Sequence, residues 1–289
     1  MGNPNTGKST FFSALCGEPA RIGNYPGVTV EKKLGNFVDS HGCVTVIDLP
    51  GTYSLTARTL DEKVSVDVLL GKQPDVPKID LIVAVIDACN LERNLYLFTQ
   101  LRQLGVPLLV VLNMWDRAKS EIELDMSELA RRLNVPVVAT AAQRGEGVSE
   151  ARRAIRIAAK EIPSGSPTIF PPEFDTETGE LDRWLKDQGV TLPLFVVQRL
   201  ILDLNGAQAQ ELIRDYHLPE LTTRLNSCRE RLSQAGHRVP AVETKSRYVW
   251  IRQQLNGIYH RHQETEVTIS DRIDKYLTHR FTGFLFFGL

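Results

Sequence analysis

Gly2-Asn3-Pro4-Asn5-Thr6-Gly7-Lys8-Ser9 is the stretch that decides the fold. It follows the pattern Gly-x-x-x-x-Gly-Lys-Ser/Thr, in which a glycine-rich loop turns its backbone N–H groups and the start of the next helix toward phosphates. Lys8 then reaches the outer phosphates and the Ser9 hydroxyl suits Mg²⁺. Gly2, Asn3, Asn5, Thr6, Gly7, Lys8, Ser9 and Thr10 are therefore the phosphate-side residues expected. Lys8 carries catalytic weight as well.

Outward from this loop the pattern is that of alternating strands and helices. Strands are expected at 35–38, 44–49, 81–87, 108–114 and 137–140, and helices at 8–16, 60–70, 92–104, 127–133 and 148–160. Leu-Ile-Val-Ala-Val-Ile from Leu81 is a continuous apolar run, as a strand covered on both faces requires. The class is α/β, a doubly wound and mostly parallel sheet over residues 1–162. Pro163, Pro167, Pro171 and Pro172 with Gly165 mark a linker at 163–174. Residues 175–266 read as a small all-α bundle of four or five helices, with Val196, Val197, Leu200, Ile201 and Leu204 at helical spacing. Residues 267–289 begin with a Thr268/Asp271 capping box and end apolar all round from Phe281 to Leu289, a pattern that fits either a terminal helix docked on the bundle or a juxtamembrane helix at the threshold of a membrane span.

Three further segments fall at the ends of expected strands, where open α/β sheets bind ligands. Asp48-Leu49-Pro50-Gly51 offers a carboxylate for Mg²⁺ and an amide for a γ-phosphate. Asn113-Met114-Trp115-Asp116 offers a carboxylate that accepts two hydrogen bonds from guanine N1 and N2, a donor pair that adenine lacks. Thr140-Ala141-Ala142 supplies small residues and free backbone amides for a base edge.

Composition excludes several classes. The chain has 289 residues, 42% apolar and 24% charged, with 34 Lys and Arg against 35 Asp and Glu for a net charge of −1. These are averages of soluble globular proteins, and nothing global points to nucleic acid as a partner. The four cysteines, Cys16, Cys43, Cys89 and Cys228, have no metal-ligand spacing. His260 and His262 with Glu264 read as a solvated face rather than a metal site. Arg152, Arg153 and Arg156 read as a solvated helix face rather than an arginine finger, and the three tryptophans read as packing.

The sequence resembles the TRAFAC GTPases and, within them, the cytoplasmic G-protein region of the ferrous iron transport protein B family. Gly2–Ser9, Asn24–Glu31 (Asn-Tyr-Pro-Gly-Val-Thr-Val-Glu), Asp48–Leu55 (Asp-Leu-Pro-Gly-Thr-Tyr-Ser-Leu) and Asn90–Tyr96 (Asn-Leu-Glu-Arg-Asn-Leu-Tyr) carry the likeness. The resemblance implies GTP and GDP as ligands, with Mg²⁺ held by Ser9, Asp48 and the switch threonine Thr29, and K⁺ held by Asn5. It makes Thr29 and Gly51 catalytic and makes Asn113 and Asp116 the guanine readers. It implies a slow GTPase that regulates Fe²⁺ uptake from the cytoplasmic face of the bacterial inner membrane. Its partners would be the chain's own transmembrane part and small accessory iron-transport proteins, without nucleic acid, and with homo-oligomers as a further form. Met114 replaces the usual lysine of Asn-Lys-x-Asp, and Ala141-Ala142 replaces Ser-Ala. Met1 directly precedes the loop glycine, so the first, central strand is expected to be missing, as from a truncated or misassigned start. Two other functions fit the motifs: a soluble GTPase of ribosome or tRNA maturation, and a non-catalytic guanine-nucleotide sensor.

Overall fold

The computed structural model describes residues 1–17, 21–25, 29–40, 42–56, 59–73, 76–162, 165, 168–204 and 206–262. The terminal or juxtamembrane helix expected at 267–289, Glu264, and four linker positions (163, 164, 166 and 167) lie outside the described residues.

Helix α1 (Lys8–Cys16) follows the phosphate-type loop as expected, with Gly7 at its N-cap in the left-handed region at φ 74° and no side-chain cap. Its first N–H groups are thus left for a ligand. β1 (Arg21–Asn24), β2 (Glu31–Asp39) and β3 (Gly42–Asp48) form an antiparallel three-stranded sheet, in which Leu34 faces Ile47 across β2 and β3. β1 escaped the sequence reading. After α2 (Leu60–Leu69), capped by Thr59, come β4 (Ile82–Asp87), α3 (Leu91–Leu101) and β5 (Leu108–Asn113). Asp87 closes the turn between β4 and α3 by accepting from Cys89 N and Asn90 Nδ2, so part of the Asn90–Tyr96 motif is turn chemistry. α4 (Trp115–Glu121) runs straight into β6 (Ile122–Leu124), and then α5 (Met126–Leu133), β7 (Val137–Ala139) and α6 (Val148–Ala158) complete the α/β region. β4, β5 and β7 pair in parallel, and every residue of β5 is buried.

The gap between β3 and β4 is where the first strand was expected. Met1 and Gly2 hold it: Gly2 bridges Val85 in parallel, Val85 N donates to Met1 O at 2.8 Å, and the Met1 amine donates to Val83 O at 3.0 Å. Around them lies a cavity of about 1040 Å³, whose walls include Val44, Val46, Val83, Phe11, Leu15 and Ile155. Burial, assisted by the Lys8 ammonium, pulls the Met1 amine from 8.0 down to about 5.

Among the described residues five helices follow: α7 (Pro172–Asp187), α8 (Leu194–Leu202), α9 (Ala207–Tyr216), α10 (Leu221–Gln234) and α11 (Ala241–Leu255). α7 starts inside the stretch read as linker, with proline at its first position, where the missing N–H costs nothing. Ile169 and Phe170 just before it are buried, and Phe170 stacks on Phe174 at 4.1 Å. The helices share one apolar core with α2 and α3, through Leu95, Phe98, Phe195 and Ile251 among others. β8 (Tyr259–Arg261), which the reading of 175–266 as all-α missed, pairs antiparallel with β6. His260 and His262 are exposed there, and no cluster of three or more metal-ligating side chains occurs among the described residues. Arg152 and Arg156 correct the solvated-face reading: Arg152 donates to Leu15 O at the end of α1, and Arg156 to Asp39 and Gly42 O at the β2–β3 turn. No helix among the described residues is long and apolar enough to cross a membrane.

Candidate functional site

The loop from Gly2 to Ser9 is shaped by contacts that only small or short residues permit. A Cβ on Gly2 would lie 2.4 Å from Val85 O, and one on Gly7 would lie 2.3 Å from Asn113 Nδ2. Thr6, buried, donates its hydroxyl to Asn3 O at 3.0 Å, and Asn5 stands exposed with φ 65°. The Asn5 side chain is thus presented to solvent just ahead of the first turn of α1. Asn3 Oδ1 is buried without a protein partner.

The expected metal ligands fall into two groups. Lys8 Nζ lies 2.5 Å from Asp48 Oδ1, and Ser9 Oγ donates to Asp48 Oδ2 at 3.1 Å. A hydroxyl and a carboxylate side by side form an oxygen donor pair that fits Mg²⁺, with Lys8 balancing the carboxylate. Thr29 is exposed, and no hydrogen bond among the described residues joins it to Ser9 or Asp48. Pro26, Gly27 and Val28 lie outside the described residues. Gly51 packs against the loop, its added Cβ falling 3.1 Å from Pro4 N, and Thr52 N donates to Gly2 O at 3.2 Å.

Asn113 organises the side where a base is expected. Its Nδ2 donates to Thr6 O at 2.9 Å, while its Oδ1 accepts from Thr140 Oγ1 and from Ala142 N, both at 3.1 Å. One buried amide therefore joins the phosphate loop to the base loop. The expectation of free amides at Ala141 and Ala142 is corrected here, because Ala142 N serves Asn113 and Ala141 N donates to Glu146 O at 3.0 Å. Both alanines are buried and hold the loop in shape. Met114 adopts φ 60° and caps α4, so that Asp116 stands on the first turn of that helix. Arg144 was missed: its Nε lies 3.2 Å from Asp116 Oδ2. The signal for it was the Gly145-x-Gly147 turn, since Gly147 (φ 75°) carries a hydrogen where a Cβ would meet Ala139 O at 2.2 Å.

Residues 1–155 match the sequence profile of the family described as ferrous iron transport protein B. The chain belongs to that family. It is 46% identical over 160 residues to the Fe(2+) transporter FeoB of Salmonella typhimurium and 45% identical over 160 residues to that of Escherichia coli K12, in each case over 54% of this chain. The chain spans about a fifth of the length of these curated relatives, 20% in both. Among solved structures it is similar to the cytosolic domain of L. pneumophila FeoB (TM-score 0.73, 29% identity, 90% of this chain and 97% of that one). A point mutant of S. thermophilus NFeoB bound to GDP gives a TM-score of 0.75 at 28% identity, with the same coverage. The GMPPNP form of the T. maritima FeoB cytosolic domain gives 0.74 at 28% identity, covering 89% of this chain and 96% of that one. The fold is thus that of the FeoB cytosolic G domains, a P-loop α/β domain followed by a helical one.

Proposed function

We propose that this chain is the GTP-binding and GTP-hydrolysing switch portion of a bacterial ferrous iron transporter, acting at the cytoplasmic face of the membrane that holds the rest of the protein. The single observation that carries the reading is Asn113, whose amide ties the phosphate loop at Thr6 to the base loop at Thr140 and Ala142. A ligand with phosphates at one end and a base at the other needs both loops fixed relative to each other. Asp116, next to that node, reads guanine N1 and N2. GDP and GMPPNP bound to related domains support the choice of nucleotide.

Lys8 leaves Asp48 to meet the outer phosphates, and the N–H groups at the start of α1 meet the inner ones. Ser9 and Asp48 are the residues that would hold Mg²⁺, which when bound neutralises charge on the β- and γ-phosphates. Thr29 would join them in the GTP state. Gly51 presents its amide to the γ-phosphate. Thr52, at the position where many GTPases place a water-orienting glutamine, is buried, with its hydroxyl 2.6 Å from Ser54 O and 2.9 Å from Glu62 Oε1. Its side chain is committed away from any attacking water, so intrinsic turnover is slow. The partners in this reading are the transmembrane part of the same protein and small accessory iron-transport proteins, and the cargo is Fe²⁺.

Calorimetric titration with GTP, GDP and ATP tests the reading. GTP and GDP bind, ATP does not, and Asp116→Ala erases the guanine preference by a factor of at least about a hundred. Equal binding of ATP and GTP by the parent protein would refute it.

A further inference from the structure

We infer that strand β8 is a positioning element for the guanine-reading helix α4, so that the hold of Asp116 on a purine and the seating of β8 are coupled. The inference rests on the reading of Asp116 given above.

α4 has seven residues and stands between two anchors. At its front, Trp115 N donates to Thr140 O at 3.0 Å, which seats Asp116 beside the base loop. At its rear, it passes without a loop into β6, and β6 has one strand partner among the described residues, β8. His262 N donates to Glu121 O, the last carbonyl of α4, at 2.8 Å, and Asp125 N donates to Ile258 O at 3.0 Å. Arg261 lies 3.9 Å from the Glu121 carboxylate, and Ile122 and Ile258 are both buried. Arg132 of α5 holds the approach to β8 by donating to Gln254 O and Asn256 O, both at 2.8 Å. The chain therefore leaves the helical region after α11 and returns to the nucleotide region before it continues to residue 263.

A helix of seven residues is about 10 Å long and moves as one piece. A shift of β8 by a fraction of a residue rise moves the rear of α4, and with it the carboxylate at the front. The converse holds by linkage: whatever guanine gains from the observed position of Asp116, it returns as resistance of β8 to displacement. Of the residues of α4 only Ala118 is buried; besides β8, the helix is supported by the turn Ala88–Asn90, where Cys89 meets the Glu121 side chain, and by Trp115 against the apolar core.

The test uses the full chain with Cys43→Ser, which removes an exposed thiol. In this register Glu121–His262 and Asp125–Ile258 are hydrogen-bonded pairs, so Leu124–Tyr259 is a closer, non-hydrogen-bonded pair suited to a disulfide. Leu124→Cys with Tyr259→Cys is compared with itself, oxidised and reduced, by the dissociation rate of a fluorescent GDP. Oxidation slows release by about threefold or more, and reduction restores it. His260→Pro removes a β8 N–H, speeds release by about tenfold, and narrows the preference for GDP over inosine diphosphate, which lacks the N2 donor. Equal release rates in both redox states overturn the inference, as does an unchanged GDP to inosine diphosphate ratio in a folded His260→Pro. Should His260→Pro not fold, the disulfide pair decides alone. Absence of guanine-nucleotide binding by the parent protein would overturn the reading of Asp116 and this inference with it.

Discussion

Asn113→Ala is the substitution with the largest expected consequence, and its size follows from three groups that lose their partner at once. The Thr6 carbonyl loses Nδ2, and the Thr140 hydroxyl and the Ala142 N–H lose Oδ1. A buried polar group left without a partner costs about 1–3 kcal/mol. The Thr140 hydroxyl can rotate and water can enter from the open side of the loop, which places the sum near the lower end, about 3–5 kcal/mol. Part of this appears as lost folding stability and part as lost preorganisation of the two loops. GDP affinity therefore falls by at least about a hundredfold, since each factor of ten is about 1.4 kcal/mol. Asn113→Asp separates the two loops: it keeps the acceptor for Thr140 and Ala142 but sets an oxygen against Thr6 O, so the phosphate loop alone is disturbed. Urea unfolding followed by tryptophan fluorescence reads stability, and titration with GDP reads affinity. A GDP affinity of Asn113→Ala within about threefold of the parent, less than 1 kcal/mol on the same scale, would show that the loops are held by something else and would refute the reasoning.

Two further outcomes follow from other parts of the site. The Met1 amine, with its pKa of about 5 against 8.0 when unfolded, leaves the unfolded chain holding the extra proton between pH 5 and 8, so stability rises with pH across that window. Three pH units at 1.36 kcal/mol each give roughly 4 kcal/mol, which Nα-acetylation removes; identical pH dependence of unfolding for the free and acetylated chains would contradict this. The proposed site leaves room for a K⁺ role to be tested: K⁺ beside the phosphates would supply the positive charge that an arginine finger otherwise brings, with the exposed Asn5 side chain as its ligand. Phosphate release is then faster in KCl than in NaCl at equal ionic strength, and Asn5→Ala removes most of the difference while GDP still binds; equal rates in the two salts exclude the role.

The elements legible in the sequence are those with strong periodicity or a fixed motif. α1 follows from the glycine loop, β4 and β5 from apolar runs covered on both faces, and α5 and α6 from apolar stripes with Leu129, Leu133, Ala151 and Ile155 buried. What escaped has too little side-chain signal. α4 reads Trp-Asp-Arg-Ala-Lys-Ser-Glu with one buried residue, and β6 and β8 have three residues each, so their pairing is a matter of backbone and tertiary placement. The roles of Ala141 and Ala142 were misjudged because a sequence does not tell which amide a neighbouring side chain already occupies. The salt bridge from Arg144 to Asp116 depends on a turn closed by two glycines in left-handed conformations. The linker reading stopped too late because proline and glycine outweighed Ile169 and Phe170, whose apolar side chains belong to the shared core.

That shared core changes what the proline-rich boundary means. Composition alone separates two domains at 163–174, yet the face of α3 that meets the helices is closed by a buried polar cluster as well as by apolar contact. Gln100 of α3 accepts from Leu55 N at 2.7 Å and donates to Ser54 Oγ and Glu243 Oε1, both at 3.0 Å. Glu243 of α11 also takes Arg199 at 2.5 Å and Arg247 at 3.0 Å, and Arg199 donates to Thr56 Oγ1. Burial alone would raise the Glu243 carboxyl, but the two guanidinium groups outweigh it and hold the group below its usual range. Buried ion pairs contribute little net stability, because desolvation offsets attraction, but they are intolerant of misalignment. Their role is therefore orientation: α8 and α11 can sit on α3 in few ways that keep two guanidinium groups on one carboxylate. The residues so gripped, Ser54 to Thr56, closely follow the Asp48–Gly51 segment assigned to the phosphates. The helical region is thus fastened behind both sides of the proposed site, through Ser54–Thr56 on the phosphate side and through β8 on the base side. A displacement of the helices therefore acts on both ends of the proposed nucleotide site.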